Sequence, residues 1–237
     1  MKKIHTIVYI LILIASVNAQ TIFTYAGTGT CSCNGDGGPS TLAGISNPTG
    51  IATDKYGNVF FASTSMIRKI NSVGIISSIG GSCTIPSGYS GDGGPATLAS
   101  FDSPEGVAVD TSGNVYIADN GNHVIRKISV TGIATTICGN GSIGFSGDGG
   151  PAVAAQIGAP VGIAADLSGN IYFTDGSNVG SRIRKIDASG IITTIAGTSG
   201  GLMVLLNTIN DHLSKKREFR DNPFYYFWII SNVKKRN

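Results

Sequence analysis

Asp36, Asp92 and Asp148 each sit at the second position of a GDGGP stretch, and the three copies begin at Gly35, Gly91 and Gly147, 56 residues apart. A carboxylate among glycines can serve as a cation ligand. Calcium takes about six to eight oxygens, and each loop offers one carboxylate with no second acid beside it. The three aspartates are weak metal candidates. The stronger reading is a connector loop, in which the glycines take positive φ and the carboxylate bonds nearby backbone amides.

His123 is the one histidine between the first nineteen residues and the tail. Metal-assisted hydrolysis needs several His or carboxylate groups converging on one point, and a Ser-His-Asp relay needs its two partners. One histidine supplies neither set, so His123 is expected to cap a loop, and no catalytic residue is assigned. Arg68-Lys69, Arg126-Lys127 and Arg184-Lys185 recur at one strand position. A basic stripe for anionic polymers is one reading. The favoured one packs each arginine stem between sheets and pairs its head with a strand-end acid such as Asp119 or Asp175, because acids recur in step with the bases.

The cysteines are Cys31, Cys33, Cys83 and Cys138. Their spacing fits no common zinc pattern, and an even count in a secreted chain suggests disulfides. A Cys31–Cys33 ring would be small and strained. Cys31 or Cys33 with Cys83 is favoured, since these lie in corresponding loops of adjacent repeats, and the connectivity stays open. Gly139 to Gly144 spells GxGxxG, yet FSGDGGP follows where a dinucleotide site needs a helix. Asn140-Gly141-Ser142 is a glycosylation acceptor, whereas proline excludes Asn47-Pro48-Thr49.

The elements that position these residues repeat with them. GIATD (50–54), GVAVD (106–110) and GIAAD (162–166) are followed by NVFFAS (58–63), NVYIAD (114–119) and NIYFTD (170–175). Next come MIRKI (66–70), VIRKI (124–128) and RIRKI (182–186), then IISSIG (75–80), IATTIC (133–138) and IITTIAG (191–197). Each is short and rich in β-branched or aromatic residues, with tight turns such as Ser112-Gly113-Asn114 between the first and second. Each unit reads as a four-stranded antiparallel meander. Val115 and Ile117 point one way and Tyr116 and Ala118 the other, so both faces need cover. Sheets stacked face to face along a chain are propeller blades. The small Ala52, Ala108 and Ala164 suit crowding of inner strands around an axis. Pro95 is expected to open a short helical turn through Ala99.

With those strands in place the chain resembles the NHL-repeat family over roughly residues 21–200. The most specific stretch is ADNGNHVIRKI (118–128), which holds Asn122-His123 at the position that names the repeat. The third repeat keeps Asp175, Asn178, Arg182 and Arg184, and the first has Ser63-Thr64-Ser65 instead. The whole pattern looks most like the extracellular NHL repeats of teneurin-type proteins and their bacterial relatives. The resemblance implies six-bladed propellers that mostly bind partners, some related propellers being metal-dependent lyases or hydrolases. Here the fold is read as all-β, with three blades (about 48–80, 104–139 and 160–197) and one extra strand, TIFTYAG (21–27), making an incomplete six-bladed propeller.

Residues 1–19 read as a secretory signal peptide: Lys2 and Lys3, an apolar run shorter than a membrane span, and Val17-Asn18-Ala19 before a cut between Ala19 and Gln20. All 34 glycines lie at or before Gly201, so residues 201–237 are set apart as an unrelated basic and aromatic tail. The repeats carry eight Lys/Arg against eleven Asp/Glu, so the basic balance comes from the flanks and no nucleic-acid partner is expected. The expectation is a secreted, non-catalytic module of region 20–200 that binds extracellular protein or glycan. It needs no cofactor, keeps no membrane span once the signal is removed, and can pair with a second copy through its open blade faces. The alternative is a fragment of a metal-dependent propeller lyase or hydrolase whose ligands lie in missing blades.

Overall fold

Short β-branched runs interrupted every few residues by Gly, Asn or Asp leave the chain one economical way to satisfy its backbone, the meander. The computed structural model describes residues 22–177 and 180–197. The signal reading of 1–19, Asn178 and the 201–237 tail lie outside them. Blade one holds β1 (Pro48–Thr53), β2 (Val59–Ser63), β3 (Met66–Ile70) and β4 (Ile76–Gly80). Blade two holds β5 (Pro104–Val109), β6 (Val115–Asp119), β7 (Val124–Ile128) and β8 (Ala134–Cys138). Blade three holds β9 (Ala159–Ala165), β10 (Ile171–Ser177), β11 (Gly180–Ile186) and β12 (Ile192–Ala196). All three sheets are four-stranded, antiparallel and in sequential order. Among the described residues no helix is long and apolar enough to cross a membrane.

The turn between first and second strands is fixed by one side chain. Asp110 Oδ1 accepts the N–H groups of Ser112 and Asn114, both at 2.9 Å, and Oδ2 accepts Asn114 Nδ2 at 2.7 Å. Asp54 and Asp166 repeat the arrangement with Asn58 and Asn170.

Blades stack face on face. Phe60, Ala62 and Ile67 of blade one meet Val107, Val115, Ile117 and Ile128 of blade two, with Ala96, Ala99 and Phe101 of the connector closing the seam. Tyr116, Ala118 and Ile125 on the other face of blade two meet Ile171, Phe173 and Ile186 of blade three. Inner strands also crowd at glycines: a Cβ on Gly50 would strike the Glu105 carbonyl, and one on Gly106 the Val161 carbonyl. The face of blade one away from blade two is covered by Ala43, Ile45 and Ala26 over its outer strands. Its inner strand is bare. Ile51 is 69% exposed, whereas its counterpart Val107, buried by blade one, is 5% exposed.

Two expectations are adjusted. Residues 22–27 form no strand. Gly27 N–H reaches Ser40 O and Thr28 N–H reaches Ala43 O, as Gly139 and Asn140 reach Ala152 and Ala155 after β8, but among the described residues no strand pairs with 22–27 to complete a ladder. Ile22 and Phe23 stay exposed. The short helical turn in the connector spans Ala96–Leu98, with Pro95 just ahead of it.

Candidate functional site

Each GDGGP loop lies over the third strand of the blade that follows it, and there the recurring arginine meets it. In the register of blade two Arg126 stands opposite Ile117, which puts its side chain on the face turned toward the connector. The side chain is fully buried. Arg126 Nη1 donates to Ser100 O at 2.7 Å, and Nη2 donates to Ser90 O at 3.0 Å and to Asp92 Oδ1 at 2.6 Å. The guanidinium lies 4.8 Å from the centre of the Phe101 ring and 5.3 Å from that of Tyr89. Asp92 Oδ2 accepts the Thr136 N–H of β8 at 3.0 Å. One aspartate thus ties a buried cation to an outer strand, and one arginine pins both ends of the loop.

The device occurs three times. Arg68 bonds Gly44 O, Asn34 O and Asp36, whose second oxygen accepts Ser78 N–H. Arg184 bonds Gln156 O, Ser146 O and Asp148. Burial, the largest single influence, pushes the three connector carboxyls up. The hydrogen bonds from the strand and the arginine outweigh it and hold them below the usual carboxylate range.

The strand-end acids play a lesser part than the sequence reading gave them. Asp175 Oδ2 is 3.4 Å from Arg184, and Asp119 Oδ2 is 4.0 Å from Arg126. Both carboxyls bond backbone just ahead of the first strand of their own blade: Asp119 Oδ1 accepts Asp102 N–H and Asp175 Oδ1 accepts Gly158 N–H. The closer partner of every arginine is the GDGGP aspartate. The signal that could have found it was the recurrence of one connector acid and one Arg-Lys pair in every repeat.

Burial lifts the Asp119 carboxyl to about 7, against the opposing pull of Asn122, the Asp102 amide and Arg126. The native state therefore holds a proton there that the unfolded chain has released above about pH 4. That stability is present below the unfolded pKa and lost as pH rises to 7. Wild type should lose about 3 kcal/mol relative to Asp119→Asn between about pH 4.5 and 7.5, read as denaturant midpoints. Parallel curves for the two proteins would refute the assignment.

The other candidates fall as follows. Asp36 and Asp92 use both oxygens and Asp148 bonds Arg184 and Thr194, and among the described residues no group of three or more His, Cys, Asp and Glu gathers to hold a metal. His123 takes φ +55 at the end of the Asn120–Asn122 turn, and its Nδ1–H donates to Gly158 O at 2.8 Å. Asn120 Nδ2 donates to Pro160 O at 3.0 Å, so this loop stitches blade two to blade three. Asn122 bonds Asp119 and Gly88 O. Arg68, Arg126 and Arg184 are buried, which removes them from any surface stripe. Cys33 is joined to Cys83, while Cys31 is free and exposed and Cys138 free and buried. Asn140 is exposed, and no helix follows it before the three-residue turn Ala152–Ala154. A cleft of about 190 Å³ opens between the Asp54 and Asp110 turns, lined by Lys55, Tyr56 and Thr111 among others.

Three like sheets stacked through buried connectors define an array of β-propeller blades. The chain belongs to the teneurin NHL domain family, whose profile matches residues 26–88, 77–146 and 143–210. Human Teneurin-4 is 30% identical over 188 residues, covering 70% of this chain and 6% of that protein. Mouse Teneurin-3 is 38% identical over 101 residues, covering 37% of this chain and 4% of that protein. The chain therefore corresponds to a small fraction of the length of these relatives. Among solved structures, virginiamycin B lyase from Staphylococcus aureus aligns with a TM-score of 0.42 at 21% identity, covering 63% of this chain and 41% of that one. A gluconolactonase from Xanthomonas campestris gives a TM-score of 0.45 at 13% identity, covering 64% and 48%.

Proposed function

We propose that the chain is a non-catalytic NHL binding module that works outside the cell, with an extracellular protein or glycan as its ligand. The observation that supports this reading is where the polar side chains point. The three arginine–aspartate clamps and the ring of His123 are all engaged in joining blades and connectors. What they leave outward is contact surface, with Ile51 on a bare sheet face and Tyr56 beside the cleft. A disulfide between two connectors is in keeping with an oxidising compartment.

The test uses the purified chain against a panel of secreted ectodomains and immobilised glycans, beside lactone and lyase substrates. Saturable binding, competed by unlabelled chain, is expected together with turnover no faster than buffer. Hydrolysis or elimination that disappears on chelation or in His123→Ala would overturn the reading.

A further inference from the structure

Three cysteines share one pocket at the edge of blade one. The pocket holds about 230 Å³, and Cys31, Cys33 and Cys83 all line it, with Ser46, Thr64 and Met66 among the other walls. Cys33 and Cys83 are bonded to each other. Cys31 is a free, exposed thiol at the apex of a three-residue turn that Ser32 N–H closes on Thr30 O at 3.1 Å. Cys83 is exposed as well, so the bond is open to attack from the pocket. Cys138, the remaining thiol, is fully buried in the seam between blades two and three and stands apart from this group.

We propose that these three cysteines form an intramolecular thiol–disulfide exchange site, in which Cys31 and Cys33 alternate as the partner of Cys83. The Cys31 thiolate attacks Cys83 Sγ. A Cys31–Cys83 bond forms, the Cys33–Cys83 bond breaks, and its electron pair leaves on Cys33 Sγ, which takes up the proton that Cys31 released. One disulfide and one thiol are present before and after, so no oxidant or reductant enters.

Loop closure hardly distinguishes the two isomers. Cys33–Cys83 spans 50 residues of sequence, and Cys31–Cys83 spans two more. Loop closure alone then changes their ratio by about 6%. The contacts around Asn34 bias the native isomer toward Cys33: Asn34 Oδ1 accepts Gly44 N–H at 2.9 Å, and its carbonyl accepts Arg68 Nη2 at 3.1 Å. Each exchange moves the free thiol from the exposed turn at Cys31 to the half-buried position of Cys33. The chain thereby changes the reach of its one accessible thiol without changing its oxidation state.

The experiment uses the whole oxidised chain, equilibrated at about pH 8.5, where an ordinary thiol is half ionised. Free thiols are trapped with N-ethylmaleimide at about pH 6, where exchange is slow. Unreduced peptides are then mapped by mass spectrometry. Label is expected on both Cys31 and Cys33, within about tenfold of each other. In Cys33→Ala a Cys31–Cys83 bond should replace the native one and protect both residues from label. Label confined to Cys31 in the wild type at every incubation time would overturn the proposal, as would Cys31 and Cys83 both alkylating in a folded Cys33→Ala. Should that variant fail to fold, the wild-type label pattern decides alone.

Discussion

Arg126→Met destabilises the chain by about 2–4 kcal/mol, chiefly the cost of leaving two loop carbonyls without their donors, with a smaller share from Asp92, whose side chain is 38% exposed. Methionine fills much of the same volume and keeps the contact with Phe101, so cavity formation is a minor part. The larger part comes from what is left behind. The carbonyls of Ser90 and Ser100 lose the donors that held them, and Asp92 loses the charge nearest to it. Asp119, fully buried, also loses its neighbouring cation. Replacing both members of a buried pair with apolar residues can be neutral. Here a single guanidinium serves two backbone carbonyls as well as the Asp92 carboxylate, which puts the change on the costly side. Melting should fall by roughly 10 °C for a domain of this size. Arg126→Lys should recover only part of the loss, because an ammonium cannot fork between the two loop ends. A loss below about 1 kcal/mol would show that the clamp is decorative.

The second large effect falls on the glycine that precedes the same aspartate. Gly91 has φ +87, and an ideal Cβ there would sit 2.5 Å from the Cα of Ala99 and 2.7 Å from its Cβ. Gly93, two residues on, has φ +80 and open space around its missing side chain. Both alanine substitutions incur the left-handed backbone penalty of about 1 kcal/mol. Only Gly91→Ala adds an overlap with backbone, which has no rotamer through which to yield. Its total should reach about 3–4 kcal/mol. The difference between the two variants, read from denaturant midpoints with equal slopes, isolates the close approach of the loop to its own short turn. Equal losses at the two sites would mean that the backbone conformation alone accounts for the glycine.

Those two residues also show where sequence reading succeeds and where it stops. The strands were legible because each is bounded by turn residues whose side chains close the turn themselves, as Asp110 does for Ser112 and Asn114. The repeat spacing then placed the connectors. The role of Asp92 was harder to see. Its arginine lies 34 positions further along the chain and reaches it because the connector folds back over the third strand. Nothing local in GDGGP encodes that fold-back, so the reading named only the nearer acids at strand ends, Asp119 and Asp175, which do lie within ion-pair distance at 4.0 and 3.4 Å but farther off than the connector acids. The cysteines met a similar limit. Cys31 and Cys33 are two residues apart, and spacing gives no ground for preferring either as the partner of Cys83. The contacts of Asn34 beside Cys33 supply that ground only once the loop is built.

The clamp also sets the natural boundaries of the repeat as a piece of inheritance. Each connector aspartate pairs with the arginine of the blade that follows it, so one loop and one sheet form a charge-balanced cassette. A copy made from one GDGGP to the next carries its buried cation and the counter-ion together. A copy cut between the aspartate and its arginine would strand an unpaired guanidinium in a core. Arrays of such blades can therefore lengthen by whole cassettes in that phase, and each new member arrives with its own electrostatics already settled.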